Sequence, residues 1–180
     1  MHKDLQKKVG FNSINDLPPN IQTEVNIKAG KLALQKREAP LKLGIDFGIE
    51  TTASSMATLR LVEKAHKLNY EVNLLYVMLP SHNLHIQRVS QRVRKGGHNI
   101  SSEDIKRRFE RARMIFPELL KKVDSCTVYD NTLDYQIALT KENGVYKFFQ
   151  CEPTIKRFLE KTVKELEDEK SVNTKKDLTQ

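Results

Sequence analysis

The stretch that decides the fold reads Ser54-Ser-Met-Ala-Thr-Leu-Arg-Leu-Val-Glu-Lys-Ala-His-Lys-Leu68, followed by Tyr70-Glu-Val-Asn-Leu-Leu-Tyr-Val-Met-Leu79. Its first half carries apolar residues at helical spacing, and its second half is an apolar run of strand length. A further apolar run, Leu43-Gly-Ile-Asp-Phe-Gly-Ile49, precedes the helix and is interpreted as a strand. Strand, helix and strand in this order form a right-handed crossover in a parallel sheet, so the sequence predicts an α/β fold.

The remaining segments extend this pattern. A third strand is predicted at Cys126-Thr-Val-Tyr129, and the apolar character of the three strands indicates a sheet covered on both faces. The dipeptide Asn143-Gly144 predicts the turn of a hairpin over Gln136–Phe149. Helices are predicted at 18–37, over two basic runs between 88 and 113, at 117–123 after a break at Pro117, and at 153–168. The chain is therefore expected to end in a β-hairpin and a helix.

Length and composition bound the class of protein. The 180 residues, 38% of them hydrophobic, suit one domain, for which we expect residues 1–168, with 169–180 as a disordered polar tail. No apolar run approaches the roughly 18 residues of a membrane span, and the polar start lacks the apolar stretch of a signal peptide. A cytoplasmic protein is expected on these grounds. Cys126 and Cys151 lie on apolar segments and are expected to be buried free thiols.

Most of the excess positive charge lies in one segment. The chain has 31 basic and 23 acidic residues, and nine of the basic but three of the acidic residues lie between Arg88 and Arg113. Two helical runs joined at Gly96-Gly97 could place several guanidinium groups on phosphate oxygens, which arginine binds bidentately. The segment therefore predicts an anionic partner. The alternative is that these side chains form solvated helix faces.

Polar residues follow each of the predicted strands. Ligands of an open α/β sheet bind at the carboxyl ends of its parallel strands. Glu50-Thr51-Thr52 could hold a substrate hydroxyl or a metal-bound water there, or could be a helix cap beside a solvated glutamate. Asp130-Asn131-Thr132 ends the third strand and fits a turn equally well. His82 and His85 are interpreted as loop and helix-start residues, and no metal ligands are identified.

Five segments, in order and spacing from about Ala29 to Thr132, carry a resemblance to a known family. They are Phe47-Gly-Ile-Glu-Thr-Thr52, Tyr70-Glu-Val-Asn-Leu-Leu-Tyr-Val77, Arg88-Val-Ser-Gln-Arg-Val-Arg-Lys-Gly-Gly-His98, Ile105-Lys-Arg-Arg-Phe-Glu-Arg111 and Tyr129-Asp-Asn-Thr132. Together they resemble the zeta toxin-like P-loop kinases, also described as predicted ABC-type ATPases or UDP-N-acetylglucosamine kinase-like proteins. The resemblance implies a three-layer α/β fold with a parallel sheet, ATP with Mg²⁺ as cofactors, and phosphoryl transfer to a hydroxyl of a small substrate such as a nucleotide sugar.

The same resemblance implies roles for individual residues. Glu50 is expected to be catalytic and, with Thr51 and Thr52, to bind the substrate. The resemblance also implies a lid over the ATP phosphates, formed by Arg92, Arg94, Arg107 and Arg108. It places Asp130 and Asn131 near the nucleotide. The expected partners are a nucleotide and a small hydroxyl substrate, with an antitoxin protein as a further candidate. Neither a membrane nor a nucleic acid is expected.

One part of the family pattern is missing from this sequence. The family opens with an apolar strand feeding Gly-x-x-x-x-Gly-Lys-Ser/Thr, the Walker A loop whose amides and lysine hold the phosphates. No Gly-Lys-Ser/Thr occurs here, and Asp16 is a poorly aligned counterpart of the aspartate base that follows the loop. We therefore expect a kinase-like domain without its P-loop strand, inactive or incomplete in this chain. The alternative is a non-catalytic protein that binds an anion or a nucleic acid through the basic lid.

Overall fold

The computed structural model of the chain describes residues 17–177. The helices are α1 (Pro19–Leu43), α2 (Met56–Lys67), α3 (His82–Arg94), α4 (Ser102–Lys122) and α5 (Pro153–Asp177), and the strands are β1 (Asn73–Met78), β2 (Ser125–Asp130), β3 (Gln136–Glu142) and β4 (Val145–Phe148). The described residues divide into two compact units, 17–50 with 88–101, and 51–87 with 102–177. Within the described range we find no helix whose length and hydropathy suit a membrane span. The fold is mixed α/β.

The second unit contains a four-stranded sheet in the order β1-β2-β3-β4. Strands β1 and β2 pair in parallel, with Asn73 opposite Ser125, which confirms that part of the prediction. Strand β3 is antiparallel to both β2 and β4, so the sheet is mixed rather than all parallel. The hairpin is confirmed, since Asn143 and Gly144 form its turn with φ values of 50° and 76°. Such positive φ values are the ones that a tight hairpin turn requires.

The hydrophobic core forms between one face of this sheet and helices α2, α4 and α5. Its centre consists of side chains with no exposed surface, among them Phe116 and Leu119 of α4, Val128 of β2, Leu139 of β3 and Ile155 of α5. Burying a large apolar side chain stabilises the folded state by about 1.5–3 kcal/mol. These contacts therefore hold the sheet and the helices of the second unit together.

Strand β1 is buried on one face only. Its Tyr76 ring packs at 4.6 Å from the ring of Phe116, whereas Leu75 and Val77 are 71% and 46% exposed. The prediction that this strand is covered on both faces is wrong. Successive side chains of a strand point to opposite faces, so one neighbouring helix layer buries every second residue.

The predicted strand over Leu43–Ile49 is also wrong. Helix α1 continues past the predicted end at Arg37 as far as Leu43, and Gly44 then adopts a left-handed φ of 66° while its N–H donates to the carbonyl of Pro40. Residues 45–50 follow as irregular chain, with Ile45 54% exposed. A glycine that ends a helix and a second one at Gly48 disfavour a strand, although the apolar residues between them imitate one.

Two helix boundaries differ from the prediction. Helix α4 runs without interruption through Pro117, because Phe116 and Leu119 on either side of it are fully buried and their packing outweighs the missing backbone hydrogen bond. Helix α5 continues beyond the predicted end at Asp168 to Asp177, and its Glu169 lies 2.7 Å from the ammonium of Lys121. Local sequence signals gave the right kind of element in both places and the wrong length.

Lys141 of β3 ties the sheet to the end of α4. Its side chain is almost completely buried, and its ammonium donates hydrogen bonds to the carbonyls of Leu120 (2.8 Å), Lys121 (3.3 Å) and Val123 (2.5 Å). The last carbonyls of a helix have no internal partner, and they carry the negative end of the helix dipole. Burial lowers the pKa of Lys141, but contact with three carbonyls favours the charged ammonium. Lys141 is therefore a buried C-terminal cap of α4.

We expect the substitution Lys141→Met to lower the free energy of unfolding by about 2–4 kcal/mol, because three carbonyls lose their donor while the aliphatic volume is retained. Urea denaturation followed by circular dichroism measures this difference. Lys147→Met, at an exposed position on β4, is the matched control and should change the free energy by less than about 0.5 kcal/mol. Unchanged stability of the Lys141→Met variant would contradict the capping role.

Candidate functional site

The loop before α2 holds the predicted substrate-side residues. Glu50, Thr51 and Thr52 are all exposed, whereas Ala53 is buried and adopts a left-handed φ of 49°. The Thr51 hydroxyl accepts a hydrogen bond from the Ala53 N–H at 3.2 Å. A positive φ is strained for a non-glycine residue, so the surrounding structure must hold this loop in one defined conformation.

The hydroxyls of this loop do not cap helix α2. The residue at the N-cap position is Ser55, whose side chain makes no capping hydrogen bond. Thr52 and Ser54 instead share a hydrogen bond of 2.8 Å between their hydroxyls. The capping interpretation of Glu50-Thr51-Thr52 therefore lacks its expected contact, and a role in holding a substrate hydroxyl stays a prediction.

Asp130, at the carboxyl end of β2, has a structural role. One carboxylate oxygen accepts hydrogen bonds from the N–H and hydroxyl of Thr132 at 2.8 and 2.5 Å, and the other accepts one from the N–H of Glu152 at 2.8 Å. Burial raises the pKa of Asp130, but these hydrogen bonds outweigh it and hold the pKa below its ordinary value. The neighbouring Asn131 donates its N–H to the carbonyl of Met78 at 3.0 Å. Asp130 thus joins the sheet to the turn and to the start of α5.

The end of α3 carries the first two arginines that were predicted for the lid. Gly97 packs so closely on Arg92 that a β-carbon at this residue would lie 2.6 Å from the Arg92 Cγ and 2.9 Å from its carbonyl oxygen. Arg92 Nη2 donates to the carbonyl of His98 at 3.2 Å. Gly96, with a φ of 85°, makes the turn that allows this approach. Within residues 17–177, Arg94 is exposed and has no hydrogen-bond or ion-pair partner.

The start of α4 carries the other two arginines that were predicted for the lid, of which Arg107 has an ion-pair partner and Arg108 has none among the described residues. Glu103 and Asp104 lie in its first turn, where negative charge complements the helix dipole. Arg107 Nη2 lies 2.5 Å from the carboxylate of Asp104, one turn away. Arg108 is exposed and makes neither a hydrogen bond nor an ion pair in the described part of the chain. An anion could therefore bind Arg108 without competing with a carboxylate.

Arg113 was not singled out from the sequence as a lid residue, yet it is held by aromatic rings. Its guanidinium carbon lies 3.9 Å from the ring centroid of Phe158 and 5.5 Å from that of Phe109. Burial lowers the pKa of Arg113. The rings of His82 and His85 lie 6.0 and 5.5 Å from the Phe109 ring, so both histidines of α3 contact α4. The spacing of Phe109 and Arg113, four residues apart on a helix, is the signal that could have indicated the contact.

The predicted site residues are distributed over both units. Arg92, Arg94 and Glu50 belong to the first unit, whereas Arg107, Arg108, Thr51, Thr52, Asp130 and Asn131 belong to the second. Asp16 lies outside the described residues. Asp130 and Asn131 do lie beside the carboxyl end of β1, as expected from the parallel pairing of β1 with β2. A common site formed by all of these residues stays a prediction.

In the comparison with family models, residues 11–142 match the zeta toxin model. The chain belongs to the zeta toxin family. Comparisons with curated proteins and with solved structures gave no significant match. Family membership implies a P-loop kinase-like domain that acts on nucleotides and small molecules and depends in general on a nucleotide and a metal ion.

The residues of this zeta toxin-family chain do not fit the metal that the family implies. Between residues 17 and 177 there is no group of three or more histidine, cysteine, aspartate or glutamate side chains that could hold a metal ion. The sequence also contains no Gly-Lys-Ser/Thr, the triplet whose hydroxyl would ligate Mg²⁺ beside the phosphates.

The contacts of Asp130 predict how stability depends on pH. Since its pKa is lower in the folded chain, ionised Asp130 stabilises the fold above the ordinary aspartate pKa, and this contribution is lost as pH falls through the folded value. We expect Asp130→Asn to lower the free energy of unfolding at pH 7 by about 1–3 kcal/mol. The variant should also lose less further stability than the parent between about pH 4 and pH 2.

Thermal unfolding of both proteins across this pH range makes the measurement. Asp134→Asn is the control, because Asp134 is exposed in the same turn after β2. It should follow the parent at every pH. If Asp130→Asn also follows the parent, the carboxylate does not join the sheet to α5 as described.

Proposed function

We propose that this chain is a zeta toxin-like domain that keeps the phosphate-binding arginines of an ATP-dependent phosphotransferase and, by itself, binds phosphate-bearing ligands without transferring phosphate. In a complete site of this kind the acceptor would be a hydroxyl of a small molecule such as a nucleotide sugar. Glu50 would face that hydroxyl, with Thr51 and Thr52 beside it. A cytoplasmic location and an antitoxin partner belong to the same proposal.

The observation that carries this proposal is the state of Arg94 and Arg108. Each lies in a basic segment of the family pattern, is exposed, and has no hydrogen-bond or ion-pair partner among the described residues. Arg92 and Arg107 have local partners that orient them, the carbonyl of His98 and the carboxylate of Asp104. An exposed guanidinium group without a partner suits phosphate oxygens, which bind through charge-assisted hydrogen bonds.

The absence of Gly-Lys-Ser/Thr supports the proposal that this chain by itself does not transfer phosphate. The Walker A loop supplies backbone amides and a lysine to the phosphates, and arginines of a lid contribute charge without that cradle. Without the loop, the transferred phosphoryl group has no fixed position relative to Glu50. Phosphate binding and phosphate transfer are therefore separable in this chain.

We expect ATP with Mg²⁺ to bind at roughly millimolar Kd or weaker, because the cradle that supplies most of the affinity is missing from the sequence. Isothermal titration calorimetry measures the Kd directly. The same titration with adenosine should give no binding, since the proposed contacts are to phosphate. A micromolar Kd for ATP would show that another segment forms a phosphate cradle and would refute the account of an incomplete site.

We expect sulfate or phosphate to raise the melting temperature more than chloride does at equal ionic strength, since an anion that binds the folded state stabilises it. The double substitution Arg94→Gln with Arg108→Gln should remove this difference. Exposed changes of this kind alter stability by about 0.5 kcal/mol or less, so the fold should survive them. Differential scanning fluorimetry in matched salts makes the measurement.

A second double variant controls for the loss of charge. Arg37→Gln with Arg60→Gln also removes one arginine from each unit, at positions outside the two basic segments. It should keep the full difference between sulfate and chloride. An unchanged response in the Arg94 and Arg108 variant would instead assign these arginines to solvated helix faces.

A non-catalytic nucleic-acid-binding protein is the second candidate function. The exposed cations of α4 favour it, since clustered basic side chains suffice for sequence-independent binding. The aromatic residues argue against single-strand binding, because the ring of Phe109 already contacts His82, His85 and Arg113 rather than facing a free surface. Phosphate-bearing small molecules therefore remain the better-supported ligands.

A further inference from the structure

A cleft of about 760 Å³ lies at the junction of β4 and α5, and none of its lining residues is among those assigned to phosphate binding. Its lining includes Phe148, Phe149, Cys151, Lys156, Arg157 and Glu160. All of them belong to the second unit, in the end of the hairpin, the connection after it and the first turns of α5. The cleft combines an aromatic side with a side that we call cationic because Lys156 and Arg157 outnumber Glu160 there. Neither side is used by the proposed function.

The aromatic side consists of two adjacent phenylalanines at the end of the hairpin. Phe148 and Phe149 are 41% and 45% exposed, although they are among the most hydrophobic side chains of the chain. The N–H of Phe149 donates to the carbonyl of Ala138 at 3.0 Å, so the backbone that carries these rings is fixed by the sheet. Exposed aromatic residues on a fixed backbone commonly mark a contact surface.

The cationic side consists of Lys156 and Arg157 at the start of α5. Arg157 has no hydrogen-bond or ion-pair partner in the described range, and Lys156 lies 3.8 Å from the carboxylate of Glu160. The helix N-terminus itself is already occupied, because the Glu152 carboxylate accepts hydrogen bonds from the N–H groups of Thr154 and Ile155. The positive charge offered to a ligand is therefore that of the side chains, principally Arg157.

An open sheet edge adjoins the cleft. Strand β4 is the last strand of the sheet, with β3 on one side and no described strand on the other. The Phe149 N–H bonds toward β3, and alternation along an antiparallel pair directs the backbone groups of Tyr146 and Phe148 to the open edge. An extended chain can add to such an edge as a further strand.

From this combination we infer that the β4–α5 cleft binds an extended acidic segment of a partner protein that carries aromatic side chains. The segment pairs its backbone with the outer edge of β4. Its aromatic side chain packs on Phe148 and Phe149, and its carboxylates pair with Arg157 and Lys156. The inference is independent of the proposed phosphate binding, since it uses none of the same residues.

The test uses a fluorescently labelled six-residue peptide in which phenylalanine alternates with aspartate. Fluorescence anisotropy should show saturable binding to the full chain. Two control peptides have serine in place of phenylalanine and lysine in place of aspartate, respectively. A third has N-methyl groups on alternate backbone amides, which prevents pairing with the edge of β4. Each should bind at least about tenfold more weakly. Equal binding of the lysine peptide or of the N-methylated peptide would overturn the inference.

Two variants place the peptide in the cleft. Arg157→Glu and Phe149→Ser should each weaken binding about tenfold, with unchanged circular dichroism spectra because both positions are exposed. Arg60→Glu makes the same charge change on α2, outside the cleft, and should leave the Kd unchanged within about twofold. Unaltered affinity in the Arg157→Glu variant would exclude the cleft as the binding site.

Cys151 provides a second readout without a substitution. It is a free, half-buried thiol in the cleft lining, whereas Cys126 is buried and burial raises its pKa to about 12. Bound peptide should slow alkylation of Cys151 several-fold, as measured by mass spectrometry of the labelled cysteine. No protection at saturating peptide would refute binding in the cleft.

Light scattering of the chain without peptide tests whether the cleft binds a second copy of the chain. If the chain self-associates and Arg157→Glu abolishes this association, the occupant is a second copy, and the inference of a partner protein is overturned.

Discussion

The fold of the second unit depends on the contact between a buried lysine and the end of a helix. Lys141 reaches from β3 to three carbonyls at the end of α4. That helix supplies Phe116 and Leu119 to the core, and its first turns carry Arg107 and Arg108. A helix with one end fixed by three charge-assisted hydrogen bonds and its middle fixed by burial presents its basic start on a rigid support. The position of any anion site on α4 is therefore set from the opposite end of the helix.

Two aspartates fix the ends of β2 in a comparable way. At its start, Asp124 accepts hydrogen bonds from the Val72 N–H at 2.7 Å and from His66 Nε2 at 2.9 Å. Hydrogen bonding from the Val72 backbone is the main cause that lowers the pKa of Asp124. At its far end, Asp130 holds the following turn and the start of α5. Carboxylates beside a strand end are therefore poor guides to catalysis in this chain, because those at β2 are already committed to backbone donors.

How much the sequence predicts depends on the range of the interactions involved. The Asn143-Gly144 hairpin is confirmed because a tight turn requires positive φ at these two residues and is encoded locally. The prediction of a strand at Leu43–Ile49 is wrong, because an apolar segment forms a strand only where a neighbouring strand can pair with it. Gly44 ends helix α1 there instead. The roles of Lys141 and Asp130 depend on partners 18 to 22 residues away. The periodicity of the sequence could not have assigned these two roles. The substrate-side role of Glu50 stays a prediction, because it too would depend on partners that are distant in the sequence.

The arginines proposed for the lid differ in what an anion would have to displace. Arg107 is paired with Asp104 on an exposed helix surface, and pairs of this kind contribute roughly 0–1 kcal/mol to stability. A phosphate that offers two oxygens to a guanidinium group can replace such a pair at little cost, since Arg–phosphate contacts are bidentate and charge-assisted. Arg94 and Arg108 have no pair to give up among the described residues. An anion that reaches the start of α4 should therefore engage Arg108 before Arg107, because binding at Arg107 requires the displacement of Asp104.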